Sequence, residues 1–151
     1  MNFLEACQKF IAIDSSPSQG NLEVAELCAN LCERAGLRVE LQNDSLSGVA
    51  QANIIARPVE ARPDEELLLH APLDTIDPGS FGLWSMTEHN PYNPTIREAR
   101  IYGLGSNRGK LDFACKLKAA ESLKGKKLRV PFVLAGTFGS EQGFAGAVQL
   151  V

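Results

Sequence analysis

Two apolar runs decide the fold, LLLH (67–70) and RVPFVLAGTF (129–138), and each leads into glycine and polar residues. A continuous apolar run of this length is typical of a central strand covered on both faces. Between the two runs, KLDFACKLKAAESL (110–123) has the length and spacing of a helix. Strands that alternate with helices predict an α/β domain with a largely parallel centre to its sheet.

The rest of the chain fits the same architecture. A predicted helix over 3–13 carries its apolar residues on one stripe, and a second helix over 21–35 ends at Gly36. Strands are predicted at 37–42 and 52–58, loops at 14–21 and 77–95, a hairpin-like segment at 97–105, and the start of a helix at 144–151. The whole chain, 1–151, is therefore predicted to be one three-layer αβα domain with a mixed, centrally parallel sheet.

Composition excludes several classes of protein. Of 151 residues, 44% are hydrophobic and 22% charged, which excludes disordered and collagen-like chains. No apolar run approaches the roughly 20 residues that cross a bilayer, and the amino terminus shows no secretory signal, so no membrane association is expected. A net charge of −3 argues against a nucleic-acid partner.

Four cysteines do not form a pattern that suggests disulfides. Cys28 and Cys32 share a helix face at a spacing that would suit a soft metal pair, but no second pair lies nearby in the sequence. We interpret them as small buried apolar residues. Reduced thiols and the absence of a signal lead us to expect a cytoplasmic protein.

Three segments are expected to meet where the central strands end at their carboxyl termini, which is where ligands bind in open α/β sheets. They are HAPLDT (70–75), GLGSNRGK (103–110) and GTFGSEQG (136–143). Each contains polar groups and at least one ionisable residue, and the last two also contain glycine. This convergence predicts a pocket but does not by itself predict a reaction.

At these residues the chain resembles the co-catalytic zinc amidohydrolases and metallopeptidases, the group of acetylornithine deacetylase, succinyl-diaminopimelate desuccinylase, aminoacylase-1 and carboxypeptidase G-type enzymes. The resemblance covers nearly the whole chain and implies a zinc-exopeptidase-like fold, truncated to the amino-terminal half of the catalytic domain, without the lid or dimerisation domain. The segments that carry it are IAIDSSPSQGNLEVAELCANLCERAGLRVEL (11–41), LLLHAPLDTIDPG (67–79), LWSMTEHNPYNPTIREARIYGLG (83–105) and FVLAGTFGSEQGFAGA (132–147).

The resemblance also implies where a metal site would lie, and most of its positions are changed. The family's zinc-ligating histidine falls on Pro72, and the aspartate that orients that histidine falls on Asp74. The metal-bridging aspartate falls on Arg108, the general-base glutamate on Ser140 and the next ligand on Glu141. Proline has no donor atom and arginine is permanently cationic, so only Glu141 could still ligate zinc, and we expect no cofactor.

Nearby residues leave alternatives open. His70 could replace the lost ligand, but it lies about 6.6 Å from position 72 along a strand, so a packed or hydrogen-bonded histidine is the simpler interpretation. Asp112 could stand in for the bridging carboxylate or serve as a first-turn helix acid. Lys110 could be a solvated charge or a hydrogen-bond donor to a loop. Trp84 and Tyr92 could anchor their loop or contact a ligand, and His89 could be exposed or contact a substrate.

Three functions follow from this pattern. The chain could be an active zinc-dependent N-acyl-amino-acid deacylase or peptidase, which requires ligands that it lacks. It could be a degenerate family member kept for binding or assembly, which we favour. It could also be a fragment or subunit of an active metallo-amidohydrolase, completed by further sequence or a partner chain. We expect a homodimer or a partner chain to cover an open sheet edge.

The last expectation concerns the position of the Arg108 side chain. If the motifs converge, its guanidinium could lie between Asp74 and Glu141 and replace the metal as the local positive charge. The alternative is that Arg108 points to solvent from its glycine-flanked loop.

Overall fold

The computed structural model describes residues 2–59 and 65–150, and all structural statements refer to them. Four helices and six strands follow one another with two short 3-10 helices between β3 and β4. In chain order they are α1 (Phe3–Ala12), α2 (Leu22–Arg34), β1 (Leu37–Leu46), β2 (Val49–Pro58), β3 (Leu67–Pro72), the 3-10 helices Phe81–Leu83 and Ser85–Thr87, β4 (Thr95–Arg97), β5 (Arg100–Tyr102), α3 (Lys110–Ser122), β6 (Phe132–Thr137) and α4 (Ala145–Gln149).

The main sheet is mixed, with strand order β1-β2-β6-β3. β1 and β2 form an antiparallel hairpin, β2 runs antiparallel to β6, and β6 runs parallel to β3 with Leu69 opposite Leu134. The connection from β3 to β6 passes through α3, as a parallel pair requires. β4 and β5 form a separate small hairpin. The predicted α/β class and mixed sheet with parallel strands are confirmed.

Helices cover the two faces of the sheet unequally. α2 packs on β1 and β2, α3 packs on β3 and β6, and α1 packs on α3, so these three helices share one face. Ile54 and Leu134 point into that layer, where Phe10 and Phe113 are fully buried. Asn53, on the opposite face of β2, donates from Nδ2 to the carbonyl of Gly146 in α4 at 2.8 Å. Within the described residues, α4 is therefore the helix that contacts the second face, and the layers run α, β, α.

Element boundaries differ from the sequence prediction mainly at turns. The first hairpin is longer than predicted because β1 continues to Leu46 and only Ser47 and Gly48 form the turn, both with positive φ. β6 begins at Phe132 rather than Arg129, directly after Pro131, whose lack of an N–H excludes it from the ladder at that end.

The cysteine interpretation holds for the pair in α2. Cys28 and Cys32 are both fully buried in the core between α2 and the sheet, where they pack as small apolar residues. All four cysteines carry free thiols, and Cys115 on α3 is exposed. Over the described residues, no helix has the length and apolar character needed to cross a membrane.

Candidate functional site

The three predicted segments do meet at the carboxyl ends of β3 and β6. Leu73, just after β3, donates its N–H to the carbonyl of Thr137 at 2.8 Å, which keeps the two chain segments together beyond the strands. Gly109, just before α3, lies against β3 so closely that a Cβ there would be 2.9 Å from the carbonyl oxygen of Pro72. This contact, together with a φ of +67°, requires glycine at position 109. The site is thus a rim of three loops held by backbone contacts.

Asp74 is the buried acid of this rim, with 9% of the residue exposed. Its Oδ2 accepts hydrogen bonds from the backbone N–H of Ser140 at 2.8 Å and from the Ser140 hydroxyl at 2.9 Å, with the Glu141 N–H further away at 3.4 Å. Within the described residues, Oδ1 is buried without a hydrogen-bond partner. Burial raises the pKa of the Asp74 carboxyl, and the bond from the Ser140 hydroxyl opposes that rise.

Arg108 pairs with Glu141 on the outer side of the rim. Its Nη2 lies 2.9 Å from Glu141 Oε1, while the arginine side chain is 66% exposed and the glutamate side chain 34%. The ion pair matches one half of the expected cluster. The other half is not formed, because the hydrogen bonds that Asp74 receives in the described structure come from Ser140 and Glu141. Arg108 therefore both pairs with one acid and faces solvent.

His70 and Pro72 lie in the carboxyl half of β3. Pro72 lies opposite Thr137, and His70 opposite Ala135. His70 Nε2 lies 2.8 Å from the hydroxyl of Thr137, so a partner already occupies that ring nitrogen. Burial lowers the pKa of His70, and the nearby cation of Lys116 lowers it further. The geometry agrees with a packed, hydrogen-bonded histidine.

Lys110 is the candidate residue whose burial differs most from the sequence-based expectation. It was expected to be a solvated charge or a donor to a loop, and it does donate from Nζ to the carbonyl of Ile13 at 2.7 Å, but it is fully buried. Burial lowers the pKa of Lys110 to about 8, and nearby Asp14 opposes that change. Gly105 leaves room for this side chain, since a Cβ at that position would come within 2.6 Å of the lysine Cε.

The loop before β4 is anchored by its own aromatic residues. Trp84 Nε1 donates to the carbonyl of Pro78 at 2.9 Å, and the ring of Tyr92 meets Phe81 edge-on at 6.2 Å between centroids. His89 Nδ1 lies 3.2 Å from the carbonyl of Gly82 and belongs to the same loop. These contacts agree with the anchoring interpretation of Trp84 and Tyr92.

The residues of this rim do not fit a dinuclear zinc centre. Across the described residues, no group of three histidine, cysteine, aspartate or glutamate side chains is placed to hold a metal ion. Asp112, the possible stand-in for the bridging carboxylate, instead receives a hydrogen bond from Lys116 Nζ at 2.5 Å. Position 72 offers no donor atom, and Glu141 already faces a guanidinium.

The fold and the order of the motifs on this rim agree with the resemblance in sequence to metal-dependent amidohydrolases and peptidases. No protein-family model matches the chain. It is 31% identical over 134 residues to acetylornithine deacetylase of Aliivibrio fischeri, an alignment that covers 89% of this chain and 33% of the relative. It is 29% identical over 144 residues to the acetylornithine deacetylase of Photorhabdus laumondii, covering 95% of this chain and 36% of that protein.

Solved structures share the fold. Human carnosine dipeptidase 1 superposes with a TM-score of 0.78 at 20% identity, over 99% of this chain and 34% of that one. An M20 family metallo-carboxypeptidase from Sulfolobus solfataricus gives a TM-score of 0.77 at 21% identity, over 93% of this chain and 32% of that one. The chain is therefore similar in sequence to the acetylornithine deacetylases and has a fold found in an M20 metallo-carboxypeptidase. It spans about a third of the length of the curated relatives that it matches.

Proposed function

We propose that this chain is a degenerate relative of the zinc amidohydrolases that serves in binding or assembly and does not hydrolyse amide bonds. The relationship to deacetylases supports a hydrolase-like ancestry. The observation that carries the proposal is the ion pair between Arg108 and Glu141. It joins the one remaining carboxylate at a ligand position to a permanent cation at the position where the family pattern has a bridging carboxylate.

Electrostatics argue against metal at this rim. Two dications need anionic ligands between them, and a guanidinium at position 108 reverses the sign of the group expected there. At about 4 Å and an effective dielectric near 20, a single pair of unit charges interacts by roughly 4 kcal/mol, and exposure of Arg108 reduces that value without changing its sign. Pro72 supplies nothing to offset the repulsion.

The position of the general base also lacks a residue that can accept a proton. A general base must accept a proton from the attacking water near neutral pH, which a serine hydroxyl does not do. The Ser140 hydroxyl is moreover engaged as a donor to Asp74 Oδ2. Position 140 therefore supports a structural contact between the loops after β3 and β6.

Metal analysis with a restored variant tests the proposal. The purified chain, saturated with zinc and then desalted, is expected to retain less than about 0.1 zinc per molecule and to leave N-acetyl amino acids uncleaved. The variant Pro72→His/Arg108→Asp/Ser140→Glu returns the family's residue types to the three changed positions and is expected to retain more zinc than the native chain. Two zinc ions in the native chain, or turnover by it, would refute the proposal.

A second candidate function follows from the share of the relatives that the chain spans. The chain could form one part of a larger assembly whose remaining parts come from further sequence or from a partner chain. Leu67 and Leu68 on β3 are both more than half exposed and would be covered in such an assembly, by a second copy or by another chain. Intact mass of the protein from its native source and native mass spectrometry of the purified chain separate these cases.

The proposed compartment is the cytoplasm. Four free thiols, three of them buried in the core, are typical of proteins from a reducing environment. Fractionation of native cells, followed by detection of the chain, tests this assignment.

A further inference from the structure

The free edge of β1, at the end of the main sheet away from β3, is the feature from which we draw a further inference. Among the described residues, β1 pairs with β2 alone. The N–H and carbonyl of Ala52 in β2 are both bonded by the Asn21 side chain, each at 2.8 Å. Asn43, opposite Ala52, therefore receives no backbone bond from β2 and points its own N–H and carbonyl outward. Bonded and unbonded pairs alternate along an antiparallel ladder, so the backbone groups of Val39 and Leu41 point outward as well.

Charged side chains lie along one face of this strand. Val39 and Leu41 pack against the core, so the alternate residues project from the opposite face of the sheet. Arg38, Glu40 and Asp44 belong to that alternate set, and all three are exposed. Within the described residues, neither Arg38 nor Asp44 forms an ion pair. The free edge thus carries a cation near its beginning and an acid near its end, both available to a partner.

We propose that β1 pairs antiparallel with β1 of a second copy, in the register that places Leu41 opposite Leu41 of that copy. In this register the outward-pointing residues face each other, with Val39 opposite Asn43, and each such pair can exchange backbone hydrogen bonds in both directions. Arg38 lies opposite Asp44 of the second copy, once on each side of the two-fold axis. Cross-strand pairs of opposite charge stabilise a sheet. The inference does not depend on whether the chain hydrolyses amides.

Hydrogen bonding and charge together select this register. A shift by one residue is excluded, because it places outward-pointing residues opposite residues that already bond β2. A shift by two residues keeps the hydrogen bonds but changes the charge pairs. In one direction Glu40 lies opposite Glu40 of the second copy, and in the other it lies opposite Asp44. Like charges directly opposite each other are destabilising, whereas the register centred on Leu41 places Glu40 opposite the amide of Gln42.

Charge reversal tests both the pairing and its register. Arg38→Glu places two acids opposite each other on both sides of the axis, whereas the double variant Arg38→Glu/Asp44→Arg exchanges the two charges and restores the pair. Lys9→Glu is the matched control, because Lys9 is exposed on α1 and its reversal changes the net charge by the same amount as Arg38→Glu. Sedimentation equilibrium measures the dissociation constant, and circular dichroism confirms that each variant folds.

We expect the native chain to dimerise, Arg38→Glu to weaken the dimer at least about tenfold, and the double variant to return to within about threefold of the native value. Lys9→Glu is expected to match the native chain. A native chain that is monomeric at high micromolar concentration would overturn the proposal. So would a dimer that Arg38→Glu leaves unchanged, because such a dimer uses another surface, or a folded double variant as weak as the single one.

Amide exchange by NMR tests the same pairing without any variant. The amides of Val39, Leu41 and Asn43 are expected to exchange more slowly as the concentration of the native chain rises, since dimerisation covers their outward N–H groups. The amides of Glu40 and Gln42 already bond β2 and serve as the internal reference. Exchange of the three outward amides at the same rate in dilute and concentrated protein would contradict the pairing.

Discussion

Two polar contacts on the same rim differ in their exposure to solvent, since one is buried and the other is exposed. Asp74 is nine-tenths buried and receives hydrogen bonds from the backbone and hydroxyl of Ser140. Arg108 and Glu141, in the neighbouring loops, form an ion pair with the guanidinium two-thirds exposed. Both contacts lie at positions where the family resemblance places metal chemistry. Because solvent screens the exposed ion pair, we expect the buried contact to contribute more to the stability of the rim.

The largest expected effect is at Asp74. Asp74→Ala leaves the Ser140 donors without their acceptor in a buried place, so we expect a loss of about 3 kcal/mol in the free energy of unfolding. Urea denaturation measures it. Asp77→Ala is the matched control, since Asp77 is exposed and accepts the N–H of Gly79, and a loss below about 0.5 kcal/mol is expected there. Equal losses in the two variants would show that burial of Asp74 does not matter.

The second prediction concerns the pH dependence of stability and contrasts two cations that lie two residues apart, the buried Lys110 and the exposed Arg108. Because the pKa of folded Lys110 is about 8, below the usual lysine value of 10.5, the unfolded chain binds more protons between these values. Stability owed to this group therefore rises with pH through that window. We expect the native chain to gain about 2 kcal/mol relative to Lys110→Met between pH 7 and 10.

Chemical denaturation at each pH measures that difference. The buried thiols Cys28 and Cys32 have raised pKa values, so their contribution to stability falls as the pH rises. This contribution is the same in both proteins and cancels when the two are compared. A parallel pH dependence of the two chains would mean that Lys110 titrates as an exposed lysine does.

A smaller effect is expected at Ser140. Ser140→Ala removes the hydroxyl bond to Asp74 Oδ2 but keeps the backbone N–H bond to the same oxygen. We expect a loss of about 1 kcal/mol in the free energy of unfolding, measured by urea denaturation. A loss as large as that of Asp74→Ala would show that the hydroxyl, and not the backbone, holds the carboxylate.

The smallest effect is expected at Arg108. Arg108→Ala removes an exposed ion pair, so the free energy of unfolding should change by less than about 0.5 kcal/mol, and the change should shrink further in 1 M salt. Thermal melting at low and high salt measures it. A loss of several kcal/mol would restore the hypothesis that the guanidinium compensates Asp74 as well as Glu141.

Much of the fold was predictable from local pattern. The apolar run that became β6 and the helical spacing of α1 to α3 predicted burial, because strands and helices place apolar residues inward at periods of 2 and 3.6. The run that became β3 was predicted to be a central strand covered on both faces, but β3 is an outer strand of the described sheet, with Leu67 and Leu68 more than half exposed. The turn at Ser47–Gly48 and the start of β6 were placed less well, since strand ends depend on pairing across the sheet. The changed motif positions were equally visible, because the absence of a donor atom at Pro72 is a property of the residue itself.

The sequence by itself determined the α/β class, the convergence of three loops at the ends of β3 and β6, and the residue types at positions 72, 108 and 140, where the family resemblance implies other residues. Only the tertiary structure decided that Lys110 is buried, that Arg108 is exposed, and that Lys116 donates to the carbonyl of His70. The physical reason is the same for all three. A long cationic side chain has the same local pattern whether it reaches solvent or a carbonyl far along the chain, and only the packing of distant segments supplies that carbonyl.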